Sequence, residues 1–168
     1  MKEKSPKSPT HKWSAKWLEV SIVSERKGEA TGAPIIRVKK VLEEVGGNEK
    51  KAFGILQKEG FEKVEKRETR RTGQGKIFTY AHHTGKVVGI VELLCETDFV
   101  ARNALFETLG KDIAMQIASM GEKDLEKQEF IKDPSKKVAD LVKEVIAKTG
   151  ENIRIGKVFR VVLGEKNG

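Results

Sequence analysis

The chain has 168 residues, enough for one ordinary domain or two small ones. Charged residues make up 35% of it and the net charge is +8, which favours a polyanionic or acidic partner, or simply a Lys-rich surface. The single cysteine excludes an intramolecular disulfide framework, and the three histidines form no zinc pattern. No segment reaches the roughly 20 apolar residues of a membrane span. We therefore expect a cytoplasmic protein with no membrane contact.

The first part of the chain predicts a tail and a small helical module. Residues 1–15 are basic and rich in Ser and Pro, with nothing to bury, which is typical of a disordered tail. Residues 16–61 are predicted to be helical, beginning with an irregular helix within 13–26. The next helix has Thr31 as a candidate cap near its start. Its apolar residues recur at i, i+3 and i+4 spacing: Ile35, Val38, Val41, Leu42 and Val45.

The end of the module is marked by glycines. Gly46 and Gly47 predict the end of one helix, and Asn48 can cap the next, which carries four apolar residues: Ala52, Phe53, Ile55 and Leu56. We expect Gly60 to end that helix. Residues 62–76 are rich in Lys and Arg and have no strong apolar period, which predicts a basic linker or exposed arm.

The remaining residues, 77–168, predict an α+β domain. Alternation in 76–83, a turn at 84–85 and an apolar run in 86–94 indicate a β-hairpin. A helix capped by Asn103 is expected to run to Met120, followed by a loop over 122–135, a helix over 136–149 and a third strand over 152–163. The expected fold class is α+β, with a small N-terminal helical module followed by an antiparallel sheet packed on helices.

Motifs for catalysis are weak. The TGQGK segment at 72–76 precedes a strand and lacks the spacing of a phosphate-binding loop. Glu96 and Asp98 could be paired carboxylates, but no second acid pair or base supports hydrolysis. His82 and His83 fit a strand end better than a general-base role. We therefore expect no enzyme activity and no cofactor.

The segment VELLCETDFVARNALF, residues 91–106, places an aromatic residue beside a carboxylate at the end of a strand. Thr97 or Asp98 can cap a short helical turn. Two interpretations of Phe99 are open at this point. Phe99 and Val100 could fold under the turn as a hydrophobic staple, or Phe99 could project as a wedge that anchors a partner.

CETDFVARN, within this segment, resembles the signature of elongation factor Ts, the guanine-nucleotide exchange factor of elongation factor Tu. Residues 31–60 resemble the ubiquitin-associated-like helical module of that family, residues 75–106 its first core hairpin and following helix, and residues 128–164 its C-terminal stretch. Together these segments cover most of the chain in the family's order. The resemblance implies a translation elongation factor whose partner is elongation factor Tu, with no requirement for nucleic acid.

The resemblance also implies roles for two sets of residues. In the family, the TDFV loop displaces Mg²⁺ from the partner's GDP site, which corresponds here to Thr97, Asp98, Phe99 and Val100. The family's helical module contacts the partner's nucleotide domain through a segment made of TGA and two apolar residues, which corresponds here to Thr31, Gly32, Ala33, Ile35 and Ile36. Exchange of this kind requires only that the factor bind the nucleotide-free partner more tightly than the GDP-bound partner.

Two features depart from the family pattern. Lys27 and Gly28 lie near the positions of an expected Leu-Arg pair, and residues 121–130 leave no room for the family's long helical insertion. The short chain leaves open a homodimer in which a second copy supplies the missing surface. An alternative function is also open: a basic RNA- or ribosome-binding accessory protein that uses residues 62–76 and shows steep salt dependence.

Overall fold

The computed structural model describes residue 28 and residues 31–165, and it divides the chain into two compact units, Met1–Gln57 and Lys58–Gly168. The predicted 1–15 tail and the irregular helix within 13–26 lie outside the described residues. The predicted α+β class is confirmed, because helices precede and cover a small antiparallel sheet.

The first unit contains helix α1, Ile35–Glu44, and the first part of helix α2, Glu49–Glu65. Five buried side chains form its core: Val38, Val41, Leu42, Ala52 and Leu56. The helical spacing is confirmed, but Ile35 is 46% exposed and does not join this core. The prediction that Thr31 caps α1 is wrong, since Pro34 is the N-cap and the Thr31 hydroxyl accepts instead from the Ala33 amide at 3.3 Å.

The glycine pair ends α1 as predicted. Gly46 and Gly47 have φ angles of 62° and 83°, a left-handed backbone that glycine adopts without a Cβ penalty. The Gly47 amide donates to the Leu42 carbonyl at 2.8 Å, which satisfies a carbonyl of the last turn. Asn48 caps α2, because its Oδ1 accepts from the Lys51 amide at 3.0 Å.

Helix α2 does not end at Gly60 but continues to Glu65, which shortens the predicted linker at its start. A glycine inside a helix costs only about 1 kcal/mol, and the extension buries Val64, which is 1% exposed and belongs to the core of the second unit. At the other end of the linker, strand β1 begins at Gln74. The basic segment between regular elements is therefore 66–73.

The second unit contains a three-stranded antiparallel sheet in the order β1-β2-β5. Its strands are β1, Gln74–Ala81; β2, Val87–Cys95; and β5, Ile153–Val162, so the predicted hairpin and third strand are confirmed. Alternate side chains of the strands face the helices, and the buried ones are Phe78, Val91, Leu93, Cys95 and Ile153.

Three helices accompany the sheet: α3, Asp98–Ala101; α4, Ala104–Met120; and α5, Val138–Thr149. Asn103 caps α4 as predicted, with its Oδ1 accepting from the Leu105 amide at 2.8 Å. Gly150 ends α5 with a φ of 78°. Helix α4 supplies the largest share of the core through Phe106, Leu109, Ile113 and Ile117, packed on the inner face of the sheet.

The predicted loop over 122–135 is wrong in part. It contains a 3₁₀ turn, Leu125–Lys127, and a short hairpin of β3, Glu129–Phe130, with β4, Asp133–Lys137. The buried side chain of Gln116 in α4 organises this segment, donating to the Glu129 carbonyl at 3.0 Å and accepting from the Ile131 amide at 2.9 Å. Strand β4 also delays the start of α5 from 136 to Val138.

Candidate functional site

The candidate site is the corner where β2 ends and α3 begins. Thr97 is the N-cap of α3, since its hydroxyl accepts from the Val100 amide at 3.4 Å. Val100 and Ala101 are buried at 9% and 5% exposure, whereas Phe99 is 83% exposed. The staple interpretation therefore holds for Val100 and is wrong for Phe99. The corner presents an aromatic ring to solvent on a backbone that is anchored on both sides.

Hydrogen bonds from the turn after α5 hold this corner. The Glu151 carboxylate accepts from the Thr97 amide at 3.0 Å and from the Thr97 hydroxyl at 2.6 Å. In the opposite direction, the Glu96 carboxylate accepts from the Asn152 amide at 2.6 Å. The two turns are thus joined reciprocally, each through a carboxylate of the other.

Asp98, next to the exposed ring, forms an ion pair with Arg102 one helical turn later, at 2.5 Å. Both side chains are at least half exposed, so water and salt screen the pair and its contribution to stability is small. The Asp98 carboxylate is therefore available to exchange Arg102 for another cation or hydrogen-bond donor at low energetic cost.

Cys95 lies directly behind the corner and is fully buried. Its thiol donates to the Thr97 carbonyl at 3.1 Å. Burial is the main reason that the pKa of the Cys95 thiol is raised, and the nearby Glu151 carboxylate adds to the effect. The thiol therefore stays protonated and supports the backbone of the corner.

The second predicted set of residues lies in the first unit, just before and within the first turn of α1. Ile36 is 83% exposed and Ile35 46% exposed, so both present apolar surface to solvent. Thr31 is only 8% exposed, and its hydroxyl holds the Ala33 amide. Gly32 has a φ of 70°, which a residue with a side chain rarely adopts. The two isoleucines are therefore accessible at the start of α1, whereas Thr31 and Gly32 shape the loop before it.

The corner does not line the groove found in the second unit. A groove of about 440 Å³ lies beside α5 and β5, and its lining includes Val142, Ile146 and Ile155 but none of Thr97–Val100. Among the described residues, no group of three or more His, Cys, Asp and Glu side chains is placed to hold a metal ion. Within the same part of the chain, no helix combines the length and apolarity needed to cross a membrane.

The predicted basic arm is partly engaged within the second unit. Arg67 donates to the Ile146 carbonyl at 3.3 Å, and Arg70 pairs with Glu96 at 3.5 Å. Asn152, which is 1% exposed, donates its side-chain amide to the carbonyls of Glu68 and Arg70. Two of the arm's cations, Arg67 and Arg70, therefore help to fasten the arm within the second unit.

Sequence reasoning missed Glu151 and Asn152 as parts of this site. They lie 54 and 56 residues from their partners Thr97 and Glu96. No local sequence pattern predicts contacts over such a separation. The nearest signal is the position of both residues directly after Gly150, where polar side chains separate a helix end from an apolar strand.

Comparison with known proteins finds relatives that span most of the chain. The family model described as Elongation factor TS matches residues 96–167. A protein named elongation factor Ts from Leptospira biflexa serovar Patoc is 38% identical over 184 aligned positions, which cover 81% of this chain and 93% of that protein. The protein of the same name from Thermotoga petrophila is 35% identical over 88% of this chain and 98% of its own length. The one from Thermosipho melanesiensis is 33% identical over 88% of this chain and 100% of its own length.

The class that these matches define is that of the translation elongation factors. Within it, the chain belongs to the elongation factor Ts family, as the resemblance of the TDFV segment indicated.

Proposed function

We propose that this chain binds elongation factor Tu in its GDP-bound form and promotes GDP release through Thr97–Val100, so that GTP can reload. The observation that carries the proposal is the 83% exposure of Phe99 on an anchored strand–helix corner. A large aromatic ring on a fixed backbone is a strong anchor for a pocket, because it loses little conformational entropy on binding.

In this proposal, exchange acts through the Mg²⁺ ion of the partner's GDP site. GDP is held through its phosphates and a Mg²⁺ bridge, so disturbing the shell of the ion loosens the nucleotide. In this proposal the Phe99 ring displaces elements of the partner, and the Asp98 carboxylate, released from Arg102, competes for polar groups around Mg²⁺. A 10⁴-fold shift between the GDP-bound and nucleotide-free states of the partner needs about 5.5 kcal/mol of differential binding. One loop that becomes buried in the complex, together with a supporting interface, can supply this. No covalent bond is made or broken.

The supporting interface in this proposal is the first turn of α1. Ile35 and Ile36 supply apolar contact area, while Thr31, Gly32 and Ala33 shape the segment before the helix. The two units then have different roles: the first unit contributes mainly affinity for the partner, and the corner of the second unit contributes mainly to GDP release.

The test is the release rate of a fluorescent GDP analogue from elongation factor Tu. We expect acceleration by the unaltered chain, and loss of most of it in Phe99→Ala and in the Asp98→Ala/Phe99→Ala double variant. Met120→Ala is the matched control, because Met120 is an apolar side chain, 61% exposed, at the other end of α4. Equal acceleration by Phe99→Ala and Met120→Ala would refute the proposed role of the corner.

We also propose that two copies associate through the outer face of the sheet, the face turned away from α4. Two cross-strand rows on this face are apolar except for Thr79: Ala81–Val88–Val161, and Thr79–Ile90–Phe159 next to it. Phe159 is 54% exposed and Ile77, at the edge, is 70% exposed. Such rows suit aligned packing against an identical sheet, because a two-fold axis pairs the same residues from both copies.

The size of this face predicts weak association. The three strands have 8, 9 and 10 residues. They cover about 14 by 30 Å, or roughly 400 Å², which is below the ~800 Å² per partner of a standard interface. We therefore expect a monomer–dimer equilibrium that depends on concentration in sedimentation experiments. Phe159→Ser should shift it to monomer, whereas Met120→Ser should not. A monomer at all concentrations would refute this proposal without affecting the exchange function.

A further inference from the structure

We propose that Glu151 is a positioning residue for the exchange activity: it sets the backbone conformation of Thr97–Val100 and so the direction in which Phe99 is presented. This inference rests on the function proposed above. Since 83% of the Phe99 side chain is exposed, packing of the ring contributes little to its placement. The position of the ring therefore depends on the backbone that carries it.

A relay of hydrogen bonds runs from Glu151 into that backbone. One carboxylate oxygen accepts from the Thr97 amide at 3.0 Å, and the other accepts from the Thr97 hydroxyl at 2.6 Å. The Thr97 hydroxyl oxygen accepts in turn from the Val100 amide at 3.4 Å. Glu151 therefore directs the hydroxyl proton towards itself and leaves a lone pair for the Val100 amide. Bonds to an ionised acceptor are shorter and stronger than neutral ones, which suits a clamp on a short helix.

Glu151 itself is held in place by the turn that ends α5. Gly150 has a φ of 78°, and its amide donates to the Ile146 carbonyl at 2.9 Å, so the chain leaves the helix in a defined direction. The next residue, Asn152, is 1% exposed, and its side chain donates to the carbonyls of Glu68 and Arg70 at 3.2 and 2.8 Å. Glu151 thus lies between a helix end and a buried side chain whose NH₂ group makes two hydrogen bonds.

Loss of the Glu151 carboxylate is expected to lower activity by reducing the fraction of molecules in which Phe99 is correctly presented. Without the Glu151 carboxylate, the Thr97 amide loses its partner and the Thr97 hydroxyl can turn to other acceptors, so the corner samples additional conformations. If only a fraction of the molecules presents Phe99 correctly, the apparent affinity for elongation factor Tu is reduced to that fraction of its intrinsic value. Val100 and Ala101 remain buried, so the fold of the unit does not depend on the clamp alone.

The experiment compares Glu151→Ala and Glu151→Gln with the unaltered chain. Gln can keep both contacts, although it reverses the second one: its carbonyl oxygen accepts from the Thr97 amide, and its NH₂ group donates to the Thr97 hydroxyl oxygen, which keeps a second lone pair for the Val100 amide. Glu122→Ala is the matched control, since it removes the same charge from an exposed position after α4. Two quantities are measured for each variant: the acceleration of fluorescent GDP release from elongation factor Tu, and the hydrogen-exchange rates of the Thr97 and Val100 amides.

We expect Glu151→Ala to lower the acceleration about tenfold, equivalent to ~1.4 kcal/mol, and to speed exchange of the Thr97 and Val100 amides selectively. Glu151→Gln should recover most of both losses, and Glu122→Ala should match the unaltered chain. The proposal is overturned by full activity in Glu151→Ala. It is equally overturned if the Ala and Gln variants lose activity alike while amides throughout Lys58–Gly168 exchange faster, because that pattern indicates general destabilisation.

Failure of the proposed function gives a different pattern. In that case the unaltered chain itself does not accelerate GDP release, whatever residue stands at 151. The hydrogen-exchange arm needs no partner, so it still decides whether Glu151 orders the corner. Unchanged exchange of the Thr97 amide in Glu151→Ala would overturn the positioning role even then.

Discussion

Gly89 of β2 lies so close to Ala114 of α4 that a Cβ atom at position 89 would overlap the Ala114 carbonyl oxygen and come within 2.7 Å of the Ala118 amide nitrogen. Backbone therefore packs directly on backbone where the central strand passes beneath the central helix. This contact sets the distance between helix and sheet, and α4 in turn begins immediately after the corner that carries Phe99. The spacing between α4 and the sheet thus depends on a position where a side chain is absent.

Gly89→Ala is expected to destabilise the second unit by about 3 kcal/mol, the upper part of the range for overpacked cores, because both neighbouring atoms belong to the backbone and cannot turn away. Urea unfolding followed by far-UV circular dichroism measures the change. Gly54→Ala is the matched control. Gly54 lies inside α2 with open space around its Cβ position, so alanine there should stabilise the helix by about 0.5–1 kcal/mol. A neutral Gly89→Ala variant would contradict the close approach.

Gln116→Leu is expected to lower the free energy of unfolding by about 1–3 kcal/mol, although the volume changes little. The substitution leaves the Glu129 carbonyl and the Ile131 amide without the partner they have in the folded chain. The same unfolding experiment tests it, and exchange of the Ile131 amide should be the first to accelerate. Ser119→Ala, at an exposed position of the same helix, should leave stability within about 0.5 kcal/mol. A stabilised Gln116→Leu variant would show that these hydrogen bonds are not needed.

Ile36→Ser is expected to raise the concentration of this chain at half-maximal GDP release about tenfold while leaving the maximal release rate unchanged, because an anchor that binds both states of the partner equally contributes affinity only. Titration of the fluorescent release assay separates the two quantities. Ile36 is 83% exposed, so its removal should not alter folding. Met120→Ser controls for loss of exposed apolar surface. A fall in maximal rate without a change in half-saturation would contradict the division of labour between the two units.

Stability is expected to fall with rising alkaline pH because of Cys95. The unfolded thiol ionises near its ordinary pKa of 9.0, and burial raises the pKa in the folded chain. Below pH 9 both states hold the proton and this group causes no loss of stability. Above it the unfolded state releases a proton that the folded state retains, so unfolding becomes more favourable. The slope of unfolding free energy between about pH 8 and about pH 10 should be steeper than in Cys95→Ala. Equal slopes would contradict the raised pKa.

Local signals in the sequence predicted the elements around the site well. Asn103 and Gly150 mark the start of α4 and the end of α5, since capping depends on residues within a few positions of each other. The extent of α2 was not predictable in this way. Gly60 is a local signal for a helix end, but burial of Val64 in a core formed by distant residues outweighed it.

The sequence by itself determined the α+β class, the order of the elements and the family, because periodicity, caps and the TDFV segment are all properties of neighbouring residues. It left open whether Phe99 folds under the corner or projects from it. Only the tertiary structure decided this, by burying Val100 against the core and by bringing Glu151 to Thr97 across 54 residues. The physical reason is that burial and hydrogen bonding at the corner depend on segments that meet only after the sheet and α5 have packed.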